Sequence, residues 1–144
     1  ILQRCIEYDT VTDKFPRFLR DEVLPVVLET AKVKKFSSDP AQRCIVGHSS
    51  GGLSAFNAAW HDPQTWGRVL CHNASFAAID VGHNYPFIVR RSDRAARKHL
   101  RIVLSSGSYD EDNTFGNWAL LNHSMADALR YAGYDYRYNF GSGG

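Results

Sequence analysis

Arg43-Cys44-Ile45-Val46-Gly47-His48-Ser49-Ser50-Gly51-Gly52-Leu53 is the stretch on which the fold turns. Arg43 to Val46 form a short apolar run of the kind expected for a strand buried on both faces, and Gly47 is expected to end it abruptly. Beyond the glycine pair, Leu53, Phe56 and Trp60 recur at helical spacing until Asp62-Pro63 closes the segment. The order is strand, tight turn, helix. Within the turn lies a G-x-S-x-G pattern centred on Ser49. So sharp a turn needs small neighbours, so glycines stand two residues to either side of Ser49 and Gly52 relieves it further. A strained turn at the carboxyl end of a strand holds a serine hydroxyl clear of the backbone. The Ser50 N–H, at the start of the helix, then points to where a tetrahedral oxyanion would form. Ser49 is the candidate nucleophile and Ser50 the candidate oxyanion donor.

The flanking chain repeats this alternation. Upstream, Phe15, Phe18, Leu19, Val23, Val26 and Val27 fall on one helical stripe from Lys14 to about Leu28. Asp13 is the expected N-cap, Pro16 is tolerated in the first turn, and Pro25 is expected to kink the helix. Downstream, strands are predicted near 68–72, 101–105 and 135–140, and a short helix near 84–89. Asn117 should cap a helix whose apolar stripe is Trp118, Leu121, Met125, Leu129 and Ala132, with Gly133 in a left-handed C-terminal turn. Strands alternating with helices imply right-handed βαβ units and a mostly parallel sheet with helices on both faces. The four strands should be neighbours, with Ser49 at the sheet's carboxyl edge.

A serine nucleophile needs an imidazole base, and the base needs a carboxylate to orient it; in this setting the chain order is serine, acid, histidine. Asp110, in Gly107-Ser108-Tyr109-Asp110, follows the strand at 101–105 and would project from the same edge as Ser49. Glu111 and Asp112 compete with it locally, and Asp80 is the rival from another loop. Asp110-Glu111-Asp112-Asn113 resembles a calcium loop but has Phe115 where the glycine should be. The six histidines, His48, His61, His72, His83, His99 and His123, flank or precede the wrong elements, since the base should follow the last strand. His123 reads as a helical residue, and His48 as a wall of the turn or of a substrate site.

Composition bounds the alternatives. The 144 residues suit one domain, and 44% hydrophobic with 22% charged residues is the profile of a packed core. The net charge of +2 gives no global attraction for nucleic acid or membrane. Locally, Arg90, Arg91, Arg94, Arg97, Lys98 and Arg101 stand against Asp93 alone, a run that reads first as a solvated face. Cys5, Cys44 and Cys71 are odd in number and lack metal-ligand spacing, so free, buried thiols are expected, with no metal and no cofactor. No apolar stretch approaches the roughly 18 residues that span a bilayer. Ile1-Leu2-Gln3-Arg4 is neither a signal peptide nor an initiator start, so the true N-terminus is expected to be missing and targeting is not legible.

Several stretches together resemble a known family: Glu7-Tyr8-Asp9-Thr10, Phe18 through Pro25, the Gly47–Gly52 turn, Tyr85-Pro86, and Gly116-Asn117-Trp118 through Met125-Ala126 to Gly133-Tyr134-Asp135-Tyr136. They resemble the enterochelin esterase-like group of α/β-hydrolases over nearly the whole chain. The resemblance implies an α/β-hydrolase fold, Ser49 as nucleophile, Asp110 as triad acid, and a histidine directly after a Gly-x-Gly-Gly turn. That turn is Gly141-Ser142-Gly143-Gly144, which places the expected base just past Gly144. The family also has earlier strands, whose loop supplies a second oxyanion donor. The chain is therefore expected to be a partial domain, lacking those strands and the C-terminal end and leaving an unpaired apolar strand edge. The implied function is serine carboxylic-ester hydrolysis, of catecholate siderophore lactones or of acylated sugars such as feruloyl or acetyl esters. Without its base, the 144-residue chain is expected to be inactive. The alternative is a non-catalytic module of the same fold that binds carbohydrate or a protein partner.

Overall fold

The structure, a computed structural model, describes residues 3–34, 36–95 and 98–143. In chain order the regular elements are α1 (Gln3–Glu7), α2 (Lys14–Phe18), α3 (Leu24–Thr30), β1 (Cys44–His48), α4 (Ser50–His61), β2 (Arg68–His72), α5 (Tyr85–Arg91), β3 (Arg101–Gly107), β4 (Asp112–Asn113), β5 (Gly116–Asn117), α6 (Trp118–Ala132) and β6 (Asp135–Gly141). The predicted strands are all present. They form one parallel sheet in the order β1-β2-β3-β6, so every carboxyl end lies on one edge.

Register sorts the sheet into two unlike faces. Ile45, Val69, Ile102 and Tyr136 sit side by side, as do Gly47, Cys71, Leu104 and Tyr138 two residues on. These rows pack against α4, α5 and α6 in one cluster with Leu53, Phe56, Tyr85, Met125 and Leu129. The chain steps across the sheet in one direction throughout, and right-handed crossovers then put every linking helix on the same face. The described residues thus supply the expected helical cover to one face. On the other face Val46 is 56% exposed beside half-buried Leu70.

Three details depart from expectation. β1 lies at the expected unpaired edge but alternates exposed and half-buried residues instead of being buried on both faces, and it continues through Gly47 to His48. Cys5 and Cys71 are buried, but Cys44 is exposed because it lies in the outer row of that edge strand. The small antiparallel pair β4–β5 has no counterpart in the predicted elements.

The helical run from Lys14 to Thr30 is interrupted by a π-helical turn over Leu19–Val23, just before Pro25. A proline there cannot donate to the preceding turn, and the wider turn absorbs the mismatch. Asp13 occupies the N-cap position without a capping hydrogen bond; its carboxylate pairs instead with Arg17 at 3.4 Å. The caps of α6 follow expectation. Asn117 Oδ1 accepts the Leu120 N–H at 3.0 Å, and Gly133 ends the helix at φ 76°.

Candidate functional site

Ser49 sits between the carboxyl end of β1 and the first turn of α4, at φ 55° and ψ −124°. A side chain in that region of backbone space costs about 1–3 kcal/mol, so the surroundings must hold it there. They do so through four backbone hydrogen bonds. The Ser49 N–H donates to the His72 carbonyl at 2.9 Å, and the Ser49 carbonyl accepts from Gly52, Leu53 and Ser75 N–H groups at 2.9, 3.1 and 3.1 Å. Two glycines let the chain fold back this closely. A Cβ on Gly47 would stand 1.9 Å from the Gly51 carbonyl oxygen, and one on Gly52 would stand 2.9 Å from the Ala74 Cβ. Gly51 differs, since a Cβ there meets nothing within 4 Å. The small neighbours that the turn requires are therefore Gly47 and Gly52.

The Ser50 amide opens α4, where a first-turn N–H has no partner within the helix. Its side chain is buried near Asp9, which is only 1% exposed. Neither Asp9 oxygen makes a well-aligned hydrogen bond among the described residues, although the Ser50 hydroxyl lies beside it. Burial raises the Asp9 carboxyl above its ordinary range, against the opposing pull of Arg4 and the Ser50 hydroxyl.

Asp110 lies on the same sheet edge, three residues beyond β3. Its Oδ2 accepts the Ser106 hydroxyl and, at 2.7 Å, the Gly107 N–H. The carboxylate opens onto a cleft of about 330 Å³, lined also by His48, His72, Asn73, Gly141 and Gly143. Of the rival acids, Asp80 lies near Asp9 rather than in the lining of the cleft. Glu111 and Asp112 are exposed, and Glu111 accepts the Asn113 side chain at 3.0 Å.

His48 forms a wall of the cleft, and His72 Nδ1 is bonded to the Ser105 hydroxyl at 2.7 Å. His123 lies on α6, with Nδ1 3.2 Å from the Tyr138 hydroxyl and its ring edge-on to Tyr138 and Phe140. No histidine side chain among the described residues hydrogen-bonds to Ser49 or Asp110. Nor does any group of three or more His, Cys, Asp or Glu side chains among them come together to hold a metal ion.

The basic run does not converge on the cleft. Arg90 and Arg94 lie over the Tyr131 ring, Lys98 lies over Trp60, and Arg101 pairs with Asp135 at 3.0 Å. Arg97 and Gly144 lie outside the described residues. No helix among the described residues is long and apolar enough to cross a membrane.

Sequence reasoning missed the groups that meet the Ser49 side chain. The Ser75 hydroxyl is 3.2 Å from Ser49 Oγ, and the Trp118 indole N–H donates to it at 3.1 Å. Asn122 Nδ2 donates to both the Ala74 and Trp118 carbonyls at 2.9 Å. Trp118 carried a signal, but one that read as the first position of an apolar helical stripe. Ser75 carried none, lying in an irregular segment after β2.

Comparison with known proteins agrees with this fold. A 58-residue stretch is 43% identical to the iron(III) enterobactin esterase of Dickeya dadantii, covering 40% of this chain and 13% of that one. Among solved structures, the enterobactin esterase FES from Shigella flexneri, determined in the presence of enterobactin, superimposes with a TM-score of 0.74 at 23% identity. That match covers 100% of this chain and 36% of the other. A ferulic acid esterase superimposes with a TM-score of 0.72 at 21% identity, over 91% of this chain and 53% of the other. The chain thus spans about a third to a half of the length of these structural relatives, and the likeness is one of α/β-hydrolase fold. Residues 3–144 match the family described as "Putative esterase", and with that match over nearly its entire length the chain belongs to this esterase family.

Proposed function

We propose that this chain carries the nucleophile and the orienting acid of a serine carboxylic-ester hydrolase. The observation that carries the reading is Ser49 at positive φ on a strand-turn-helix, with Asp110 fixed on the same sheet edge. In this reading Ser49 Oγ attacks the ester carbonyl as an imidazole takes its proton. The Ser50 N–H faces the oxyanion of the tetrahedral adduct. The bond to the leaving alkoxide breaks as the imidazolium returns the proton, and water then hydrolyses the acyl-enzyme by the same steps. Asp110 orients the imidazole.

In this reading the cleft lined by Asp110 and Gly143 is the space for that ring, and no described histidine side chain hydrogen-bonds to Ser49 or Asp110. We assign the base to a histidine beyond the Gly141-Ser142-Gly143-Gly144 sequence, where the resemblance to the enterochelin esterase-like group implies one. The esterase relatives named above point to a catecholate siderophore lactone or a feruloyl-type ester as substrate.

The test compares the product of the whole gene with the 144-residue chain on an activated aryl ester. Removing one triad member can cost on the order of a million-fold in turnover, because the members act together. The whole-gene product is expected to hydrolyse the ester and to lose this with Ser49→Ala, while the 144-residue chain stays near background with or without Ser49. Robust turnover by that chain alone would overturn the assignment of the base, with His48 and His123 the first histidines to replace. A whole-gene product that turns over no ester but retains an acylated sugar would point instead to a binding module.

A further inference from the structure

We infer that Ser75 is a second hydroxyl acting on the nucleophile, donating a hydrogen bond to Ser49 Oγ, and that Trp118 and Asn122 are the positioning residues that fix this direction. The inference rests on the reading of Ser49 as nucleophile and extends it to a group on a different loop.

The direction follows from counting donors and acceptors. Ser75 is fully buried, so water does not satisfy its hydroxyl. The indole of Trp118 can only donate, and it occupies one lone pair of Ser75 Oγ at 3.1 Å. The Ser75 O–H must then find an acceptor, and the oxygen within reach is Ser49 Oγ at 3.2 Å. If Ser49 donated instead, Ser75 would receive two hydrogen bonds and its own buried proton would have no acceptor, an arrangement that is strongly disfavoured. With Ser75 as donor, Ser49 Oγ is held in one rotamer and its own proton stays free for a base to take. As that proton leaves, the hydrogen bond from Ser75 becomes charge-assisted and strengthens. It therefore favours the state in which Ser49 oxygen carries negative charge over the resting hydroxyl.

The supports are placed for this task. The Ser75 N–H is tied to the Ser49 carbonyl at 3.1 Å, so the two residues move together. Asn122 holds the Ala74 and Trp118 carbonyls with one amide nitrogen, joining the residue before Ser75 to the residue that supplies the indole. Trp118 is 3% exposed and Asn122 is fully buried, so neither donor has a solvent alternative.

The experiment uses the product of the whole gene and reads the rate at which a fluorophosphonate captures Ser49, alongside kcat and KM on an aryl ester. Ser75→Ala should slow capture and kcat by about tenfold to hundredfold, the size expected for a hydrogen bond to an oxygen gaining charge, with KM nearly unchanged. Ser75→Thr, which keeps the hydroxyl, should recover most of the loss. Trp118→Phe removes the indole donor and should give a smaller loss in the same direction; it also serves as the probe if Ser75→Ala fails to fold. Capture and kcat at the parent level in folded Ser75→Ala, or in folded Trp118→Phe where that variant is the probe, would overturn the inference while leaving the nucleophile intact. Capture that persists in Ser49→Ala would overturn the underlying reading instead.

Discussion

Two helical stretches with comparable apolar patterns meet opposite fates in this molecule. In α4, ten of twelve residues are buried, including the polar Ser54 and Asn57. In the run from Lys14 to Thr30, Pro16 is the one buried residue, while Phe18, Val26 and Val27 are 46%, 61% and 49% exposed. The difference is one of partners rather than composition. α4 lies across β1 and β2, and its polar side chains are satisfied where they are buried. Ser54 donates to the Tyr8 carbonyl at 2.9 Å, and Asn57 donates to the Thr12 carbonyl at 2.8 Å and accepts the Tyr85 hydroxyl. The Lys14–Thr30 run touches α4 through α2, and α3 contributes nothing to the core among the described residues. An apolar stripe states what a helix could bury; whether it does so depends on where the chain crossing sets it down.

The comparison breaks most sharply at the turn that launches α4. Gly47→Ala drives a methyl group into the Gly51 carbonyl and should prevent folding or remove more than about 4 kcal/mol, read by chemical denaturation. Gly51→Ala, two residues past Ser49 where space is open, should be neutral or stabilising by up to about 1 kcal/mol, since alanine is the better helix former. Equal damage from both would mean that the turn is looser than its contacts imply.

A second pair sharpens the contrast between the helices themselves. Phe56 is fully buried, edge-on to Phe76 and Tyr85, and Phe56→Ala should cost about 3–5 kcal/mol. Val26→Ala, on the exposed α3 face, should change stability by no more than about 0.5 kcal/mol in the same denaturation series. A large loss at Val26 would show that this face is covered in solution.

The smallest effect is pH-dependent and concerns the segment that docks on α4. Burial raises the Asp9 carboxyl, so the folded state holds its proton more tightly than the unfolded chain does. Asp9 therefore disfavours folding least below the ordinary carboxylate range, and the stability linked to its proton is lost as pH rises through the raised value. Asp9→Asn should raise the melting temperature at pH 7, with a gain that shrinks as the pH falls towards 4. A gain independent of pH would show that the carboxylate's charge is not what burial opposes.

Much of the architecture was legible because it is written in local periodicity. The apolar runs at Arg43–Val46 and Arg101–Ser105, the Asn117 cap and the Gly133 stop each depend on neighbours within a few residues, where backbone geometry alone fixes who meets whom. The burial of those strands was less legible. β1 has the apolar run of a strand buried on both faces, yet Val46 and Cys44 lie on the sheet face that the described helices leave uncovered and are exposed.

What the sequence by itself determined is the alternation of strand and helix, the turn at Ser49 and the position of Asp110 after a strand that ends on the same edge. The tertiary structure alone decided which face of the sheet the helices cover, the burial of Asp9, and the meeting of Ser49 with Ser75 and Trp118. Those contacts join residues 26 and 43 positions apart. Local propensity has no reach over such separations. They come about because parallel strands joined by right-handed crossovers bring the loops after successive strands to one edge, where side chains with no shared sequence pattern become neighbours.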